Sequence, residues 1–578
     1  MLTANLKKLR NSLLGSLKRF PVTVTFTTLL TICLVLQRNF FKPEDVINPI
    51  LIFQLAVPLT LITKFALERL EKSSKKRTLF YYGLAFLLLL LYSVFWLPKV
   101  ISETSYYYLE PVSLTRYLAI SFALYLVAIA TPFIRKRENI ELYVIRLLEQ
   151  FFITIAFAIV LGIGFTAIFG TLEALFAANL YKHIYRDLWI LVMGIFAPIH
   201  FLAGVPLKTE KLNEISYPKA LKLLLLYIIM PLITIYTGIL YLYFLKILIT
   251  LKWPEGIIGN LVLWYGALTT LVTFLVYPLK HKYKWVELFS KWLSGLIIPL
   301  ILLMFFSVGI RIKAYGVTEN RYFVIALGFW VLISMLYFVF KRENRNVLLP
   351  LFLALIMMFS VFGPWSAFNI AIKSQNRRFA NILQKYEMVK DGEFAKPNTL
   401  VALEDQKTIN EILLYFNSNH SFSDVDYLPE GFALDDMPEL FGFKYRTNYD
   451  DTSIFYSREN HLEPIDIEGY DYMFFYYKPG QMNKLGDNVR VEYFSELDRV
   501  VIRLDEEEVY AINLKDELVK IMSKNASNTF LPTEEMTLFD ENSDVRVKII
   551  FNEFAGRKLD DEDFKITSIN LYLLFQVK

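Results

Sequence analysis

A single cysteine among 578 residues, Cys33, lies inside an apolar run. It leaves no route to an intrachain disulfide framework or a thiolate metal site. Histidine is scarce too, five in all, and His420 and His461 lack HExxH or any comparable ligand spacing, so no zinc site is expected. GxSxG and the Walker A pattern are missing, and Gly162-Ile-Gly164 sits within an apolar run rather than between a strand and a helix, so it is not a dinucleotide fingerprint. These gaps point away from an enzyme, and no cofactor is implied. Acidic residues are scarce over the first two thirds of the chain: residues 1–378 hold 40 Lys and Arg against 17 Asp and Glu, whereas residues 379–578 hold 21 against 39. The two parts are built for different surroundings.

What the chain has in abundance is apolar sequence. Hydrophobic residues make up 55%, aromatics 16%, and mean hydropathy is +0.39, too apolar for a soluble domain of this size. The basic excess sits in short loops between apolar runs, where lipid headgroups and insertion topology account for it, so nucleic acid is excluded as a partner and the lipid bilayer takes its place. Residues 1–19 carry Leu6, Leu9, Leu13 and Leu17 at helical spacing among Lys7, Lys8, Arg10, Lys18 and Arg19, the pattern of an interfacial basic helix. Eleven runs of roughly spanning length follow, from Phe20–Leu36 to Val347–Phe362. The fold class expected is an all-α polytopic bundle of about eleven transmembrane helices over residues 20–365. A juxtamembrane helix is expected over 366–395 and an α+β domain over 396–578.

Loop charge orients it. Basic residues alternate between rich loops (Arg69, Lys72, Lys75, Lys76 and Arg77, for example) and poor ones (Lys99 alone). By the positive-inside rule the N-terminus is cytoplasmic, and eleven crossings make the C-terminal domain extracytoplasmic. Beyond Gly363-Pro364, the segment opened by Lys373, Arg377 and Arg378 reads as a polar helix to about Val389. Thr408–Phe416 and Leu514–Lys524 also read as helices. YMFFYY (472–477), VRVEYF (489–494), RVVIRL (499–504), EVYAINL (508–514), VRVKIIF (545–551) and ITSINLYLLF (566–575) read as strands.

An ionisable group in hydrocarbon is costly unless it faces protein or water. Glu173, on a run bearing Gly162, Gly164 and Gly170, and His200 in the sixth run therefore form a candidate intramembrane polar site. The plain alternatives are solvation of Glu173 at its run end and a structural hydrogen bond for His200. The external loop RIKAYGVTENRY (311–322) is the most chemically dense connection. Thr318 can cap the next helix with Glu319 in its first turn, while the positive charges remain for an acidic partner. Arg311, Lys313, Glu319 and Arg321 are thus a candidate domain-docking loop, the nearest acidic partner being the chain's own C-terminal domain. There Asp424, Asp426, Asp435, Asp436, Asp450 and Asp451 read as a solvated acidic face; EF-hand spacing is absent and no metal is assigned.

GIRIKAYGVTENRY (309–322) and GPWSAFNIAIKSQNRRFANILQKY (363–386), with MPLITIYTGILYLYFLKI (230–247) and Trp253-Pro254-Glu255-Gly256 upstream, resemble the bacterial membrane proteins grouped as domain of unknown function family 4153. The resemblance covers most of the membrane part and the start of the external domain. It implies a many-spanning inner-membrane protein and brings no catalytic residue or cofactor with it. The leading expectation is a non-enzymatic envelope protein for sensing, binding or scaffolding, whose external domain meets a small ligand or envelope proteins. One alternative is a secondary transporter or channel using Glu173, His200 and the helix prolines Pro58, Pro198, Pro231 and Pro299. Another is a membrane transferase acting on a lipid-linked substrate, against which the short first external loop with Glu44 and Asp45 weighs.

Overall fold

The computed structural model describes residues 2–39, 43–70, 74–103, 106–134, 140–176, 183–206, 217–250, 257–280, 282–340, 345–390, 393–399, 401–443, 453–458, 464–476, 482–485, 489–494, 498–524, 529–558 and 564–578. By its internal contacts the chain divides into two compact units. One comprises Met1–Val401 with Glu411–Ala433, the other Ala402–Asn410 with Leu434–Lys578.

The first unit is helical. It opens with α1 (Leu2–Arg19), α2 (Pro21–Asn39), α3 (Pro43–Arg69) and α4 (Lys75–Phe95). A hairpin of β1 (Val100–Glu103) and β2 (Tyr106–Leu109) leads into α5 (Pro111–Ala130) and the long α6 (Ile140–Phe176). Next come α7 (Ile184–Leu191), a π-helical turn at Val192–Phe196 and α8 (Ala197–Ala203). A second π-helical turn, Leu224–Ile229, joins α9 (Lys219–Leu223) to α10 (Met230–Thr250). The unit continues through α11 (Ile257–Val276), α12 (Lys284–Tyr315), α13 (Glu319–Phe340), α14 (Leu348–Val361) and α15 (Ala367–Lys385). Among the described residues nine helices are long and apolar enough to cross a membrane, or ten if α1 and α2 act as one bent span. The bend between Arg10–Arg19 and Pro21–Gln37 is 99°. Arg19 braces it, holding both carboxylate oxygens of Glu68 at 2.9 and 2.8 Å and the Val205 carbonyl at 2.7 Å. The last expected span is the 14-residue α14, about 21 Å of helix at 1.5 Å per residue. That is shorter than the ~30 Å hydrocarbon core.

Burial runs as it must in lipid. In α4 only 11% of the apolar window is buried inside the protein, and Leu79, Phe80, Leu90 and Val94 face outward; in the central helix Gly259–Leu279 the share is 61%. A face like that of α4 would be an aggregation hazard in water and is an ordinary surface in hydrocarbon. Several polar side chains inside the bundle are satisfied by the neighbouring helix. Tyr117 donates to the Leu51 carbonyl at 2.9 Å, Trp330 Nε1 to that of Leu349 at 3.0 Å, and Thr23 pairs with Thr60 at 3.0 Å.

The polar helix expected to reach Val389 stops at Lys385. Glu387 takes a left-handed φ of 53°, and the Met388 N–H turns back to the Leu383 carbonyl at 2.8 Å, a Schellman-type stop. Two short strands follow, β3 (Val389–Lys390) paired with β4 (Glu393–Phe394), then α16 (Leu403–Asn419).

The second unit is mostly β, with a short helix, α17 (Met437–Phe441), at its start. Its strands are β5 (Ser453–Arg458), β6 (Tyr472–Tyr476), β7 (Met482–Leu485), β8 (Val489–Phe494), β9 (Arg499–Leu504), β10 (Glu507–Asn513), β11 (Thr529–Leu531), β12 (Thr537–Glu541), β13 (Val545–Lys558) and β14 (Phe564–Val577), with α18 (Leu514–Lys524) after β10. One sheet has the order β10-β9-β8-β7, the other β11-β5-β13-β14-β6 with β12 also on β13. Val491 and Ile502 from the first sheet, Ile549, Phe551 and Phe575 from the second, and Leu514 and Leu518 of α18 close one buried core.

Candidate functional site

The turn between α12 and α13 is fixed by α15. Gly316 ends α12 with φ +71°, and a Cβ there would meet Arg378 Cδ at 2.7 Å and Gln375 Nε2 at 2.9 Å, so conformation and space both require glycine. Buried Gln375 donates from Nε2 to the carbonyls of Tyr315 (3.1 Å) and Val317 (2.9 Å), while Ser374 Oγ accepts from the Val317 N–H at 2.8 Å. The next residue of α15, Asn376, grips the chain after α16, donating to the Asp424 carbonyl at 2.8 Å and accepting from the Asp426 N–H at 3.2 Å. A single helix thus sets the first turn of α13 and the segment 415–426 in register.

Where they meet, two side chains converge on one carboxylate oxygen of a third. Glu319 Oε1 accepts from the Tyr415 hydroxyl at 2.6 Å and lies 2.6 Å from His420 Nε2, and the tyrosine hydroxyl and His420 Nε2 are 3.0 Å apart. The His420 side chain is 3% exposed and that of Glu319 17%. Burial first, then the hydrogen bond and charge of Glu319, push the Tyr415 hydroxyl well above its usual range, so it stays a proton donor. The trio lies beside a cavity of about 470 Å³. Thr115, Thr318, Asn320 and Asn419 add polar groups to its lining, and Val112, Phe323 and Phe368 add apolar walls. Such a site can hold a small molecule through a buried carboxylate and a ring of hydroxyls and amides. Beneath it Arg116 reaches the Val361 carbonyl at 3.3 Å and lies over the rings of Phe362 and Phe368.

The intramembrane candidates lie elsewhere and are not brought together. Glu173 on α6 accepts from the Tyr185 hydroxyl of α7. Of the glycines on that run, Gly162 lies against Trp189, a Cβ there falling 2.7 Å from the ring, while Gly164 meets nothing. His200 on α8 is buried, with Nδ1 2.8 Å from Thr154 Oγ1, its carbonyl accepting from Gln150 Nε2 at 2.8 Å, and its ring between Phe157 and Phe196. Neither residue lines the Glu319 cavity. Of the loop residues, Arg321 turns back to the carbonyls of Tyr315 (3.2 Å) and Gly316 (2.6 Å), Arg311 is half-buried and Lys313 exposed. The loop's anion, Glu319, makes the contact to the chain after residue 396.

Sequence reasoning passed over two partners in this site, Tyr415 and His420. It also missed Glu141, a fully buried carboxylate in the first turn of α6 that accepts from Asn346 Nδ2. Asp450, Asp451 and His461 lie outside the described residues. Among the described residues, no three His, Cys, Asp or Glu side chains are grouped to hold a metal ion.

No solved structure matches the chain. A curated relative, Uncharacterized protein PM1469 of Pasteurella multocida (strain Pm70), is 26% identical over 278 residues, 46% of this chain and 47% of that protein. The chain therefore spans about half the length of the relative it matches. The family model described as Domain of unknown function (DUF4153) matches residues 24–388, from α2 through the Glu319 turn to the end of α15, and the chain belongs to that family.

Proposed function

We propose that this protein is a non-enzymatic binding or sensing protein of the bacterial inner membrane, and that the cavity at Glu319 is where it takes a small polar ligand. One observation carries this reading. A carboxylate gripped by Tyr415 and His420 lines a cavity rimmed by four further polar side chains, whereas Glu173 and His200 are each satisfied by a neighbouring helix. The carboxylate selects for ligands that present an ammonium group or hydroxyl donors.

The test is a thermal-shift panel of small amines, amino acids and sugars on the purified full chain. A ligand of this class is expected to raise the melting temperature of the wild type by mass action and to leave Asn320→Trp, which fills the cavity, unmoved. Responses identical in the two proteins would sink the reading.

Placement across the membrane belongs to the same proposal: N-terminus in the cytoplasm, residues 396–578 outside, with loop charge as support. A Cys33→Ser, Ser543→Cys chain should react with a membrane-impermeant maleimide before the inner membrane is opened. Labelling only afterwards would reverse the orientation.

Transport is a second reading with its own observation. The π-helical turns at Val192–Phe196 and Leu224–Ile229 interrupt two successive spans, and such turns cluster at functional sites. It requires Glu173→Gln or His200→Ala to alter uptake, and unchanged uptake in both removes these residues from any pathway.

A further inference from the structure

Arg321 and Arg378 come from different helices and point at the same atom. Both donate through Nη1 to the Tyr315 carbonyl, at 3.2 and 2.9 Å. Arg311 is close enough for its charge to bear on Arg321 as well. Among the described residues none of the three forms an ion pair; the charge of Glu411 reaches Arg321 and Arg378 only at longer range. The positive charge gathered here exceeds the one carboxylate, Glu411, whose charge reaches it, and an anion among the guanidinium groups would relieve their repulsion. Among the described residues Arg321 and Arg378 bond the protein through Nη1, which leaves Nε and Nη2, the edge that meets a phosphate in two parallel hydrogen bonds.

The same turn heads an apolar groove of about 530 Å³ between α13 and α14, whose lining residues are not those of the Glu319 cavity. Ile312, Val317 and Tyr322 line its upper end. Ile325 and Phe329, one and two turns beyond Arg321 on the same face of α13, carry it along the helix for about 12 Å. Its walls are outward-facing: Ile325, Phe329, Leu355 and Phe359 are all exposed large hydrophobics. Tyr322 donates to the Trp365 carbonyl at 3.0 Å, and exposed Trp365 lies beside Phe359, aromatic rings of the kind that settle at headgroup depth. Charge at one end and a lipid-facing apolar channel running away from it match a single class of molecule.

We propose that Arg311, Arg321 and Arg378 hold the phosphate of an anionic phospholipid from the leaflet at this end of the bundle, with one acyl chain in the groove between α13 and α14. The site is distinct from the Glu319 cavity and does not depend on a ligand there.

The full chain is reconstituted in nanodiscs of phosphatidylcholine with phosphatidylglycerol, and retained lipid is measured by native mass spectrometry. The wild type is expected to retain phosphatidylglycerol over phosphatidylcholine. Arg311→Gln, which removes a charge that bonds no backbone, and Ala326→Trp, which fills the groove, should each lower that retention about tenfold. Equal melting of Arg311→Gln and wild type shows that the loss is not unfolding. Retention that survives either variant overturns the proposal. So does displacement of phosphatidylglycerol by inorganic phosphate, because the arginines would then serve a soluble anion with no chain in the groove.

Discussion

The polar groups in the middle of the bundle and those at its α13 end obey different rules. In the middle, His200 is bonded to Thr154 and Gln150 and Thr237 to Tyr265, each within one helix contact; Glu173, near the end of α6, likewise closes on a single neighbour, Tyr185. At the α13 end, Glu319 draws partners from the chain around residues 415–420 and lines a cavity, while Arg321 turns back to the carbonyls that end α12 and shares one of them with Arg378 of α15. A polar group that closes on one neighbour holds helices together. One that gathers several elements around open volume is placed to receive something else.

This contrast breaks if central substitutions alter binding or terminal ones merely unfold the protein. The largest expected loss of stability comes from Gly194→Ala, since a Cβ there would fall 2.1 Å from Thr31 Oγ1 on α2. Overpacking of this kind costs roughly 1–3 kcal/mol, read as a lower melting temperature in detergent. His200→Ala should follow, at about 1–3 kcal/mol, for leaving buried Thr154 without the ring nitrogen it bonds. Both variants should keep the ligand response of the wild type. Tyr415→Phe is expected to cost about 1.5–3 kcal/mol or less, a hydrogen bond to a charged group at a half-buried position, while removing the ligand-dependent shift altogether.

The smallest effect is on pH. The Tyr415 hydroxyl is raised by burial and by Glu319, so its stabilising share is complete below the ordinary tyrosine value of about 10 and is lost as pH climbs through the raised one. Alkaline titration should therefore destabilise the wild type more steeply than Tyr415→Phe. Parallel curves would contradict the geometry.

Much of the architecture could be read from periodicity. The apolar runs became helices because their length and uniform hydrophobicity leave a bilayer no other use for them. The alternating segment 489–494 became a strand that buries one face, and it pairs with 499–504, which buries three successive residues, Val500, Val501 and Ile502. Where reading failed, the reason was local and physical. The helix after Trp365 ended early through the left-handed Glu387, and β13 and β14 run to 14 residues each because bulges near Phe551 and Ala555 let the pairing continue past the obvious hydrophobic blocks. Glu319 stood out as part of a dense loop. Its partners Tyr415 and His420 lie 96 and 101 residues away, and no pattern within a single chain links them. Arg321 and Arg378 are likewise joined only by the fold, through a backbone carbonyl that carries no sequence signal.

The most direct test is an experimental map of the full chain purified from membranes and resolved well enough to show bound small molecules. Density between Glu319, Asn320 and Asn419, with none beside Glu173 or His200, is the expected result. An empty Glu319 cavity together with a molecule lodged against His200 or Glu173 would contradict it.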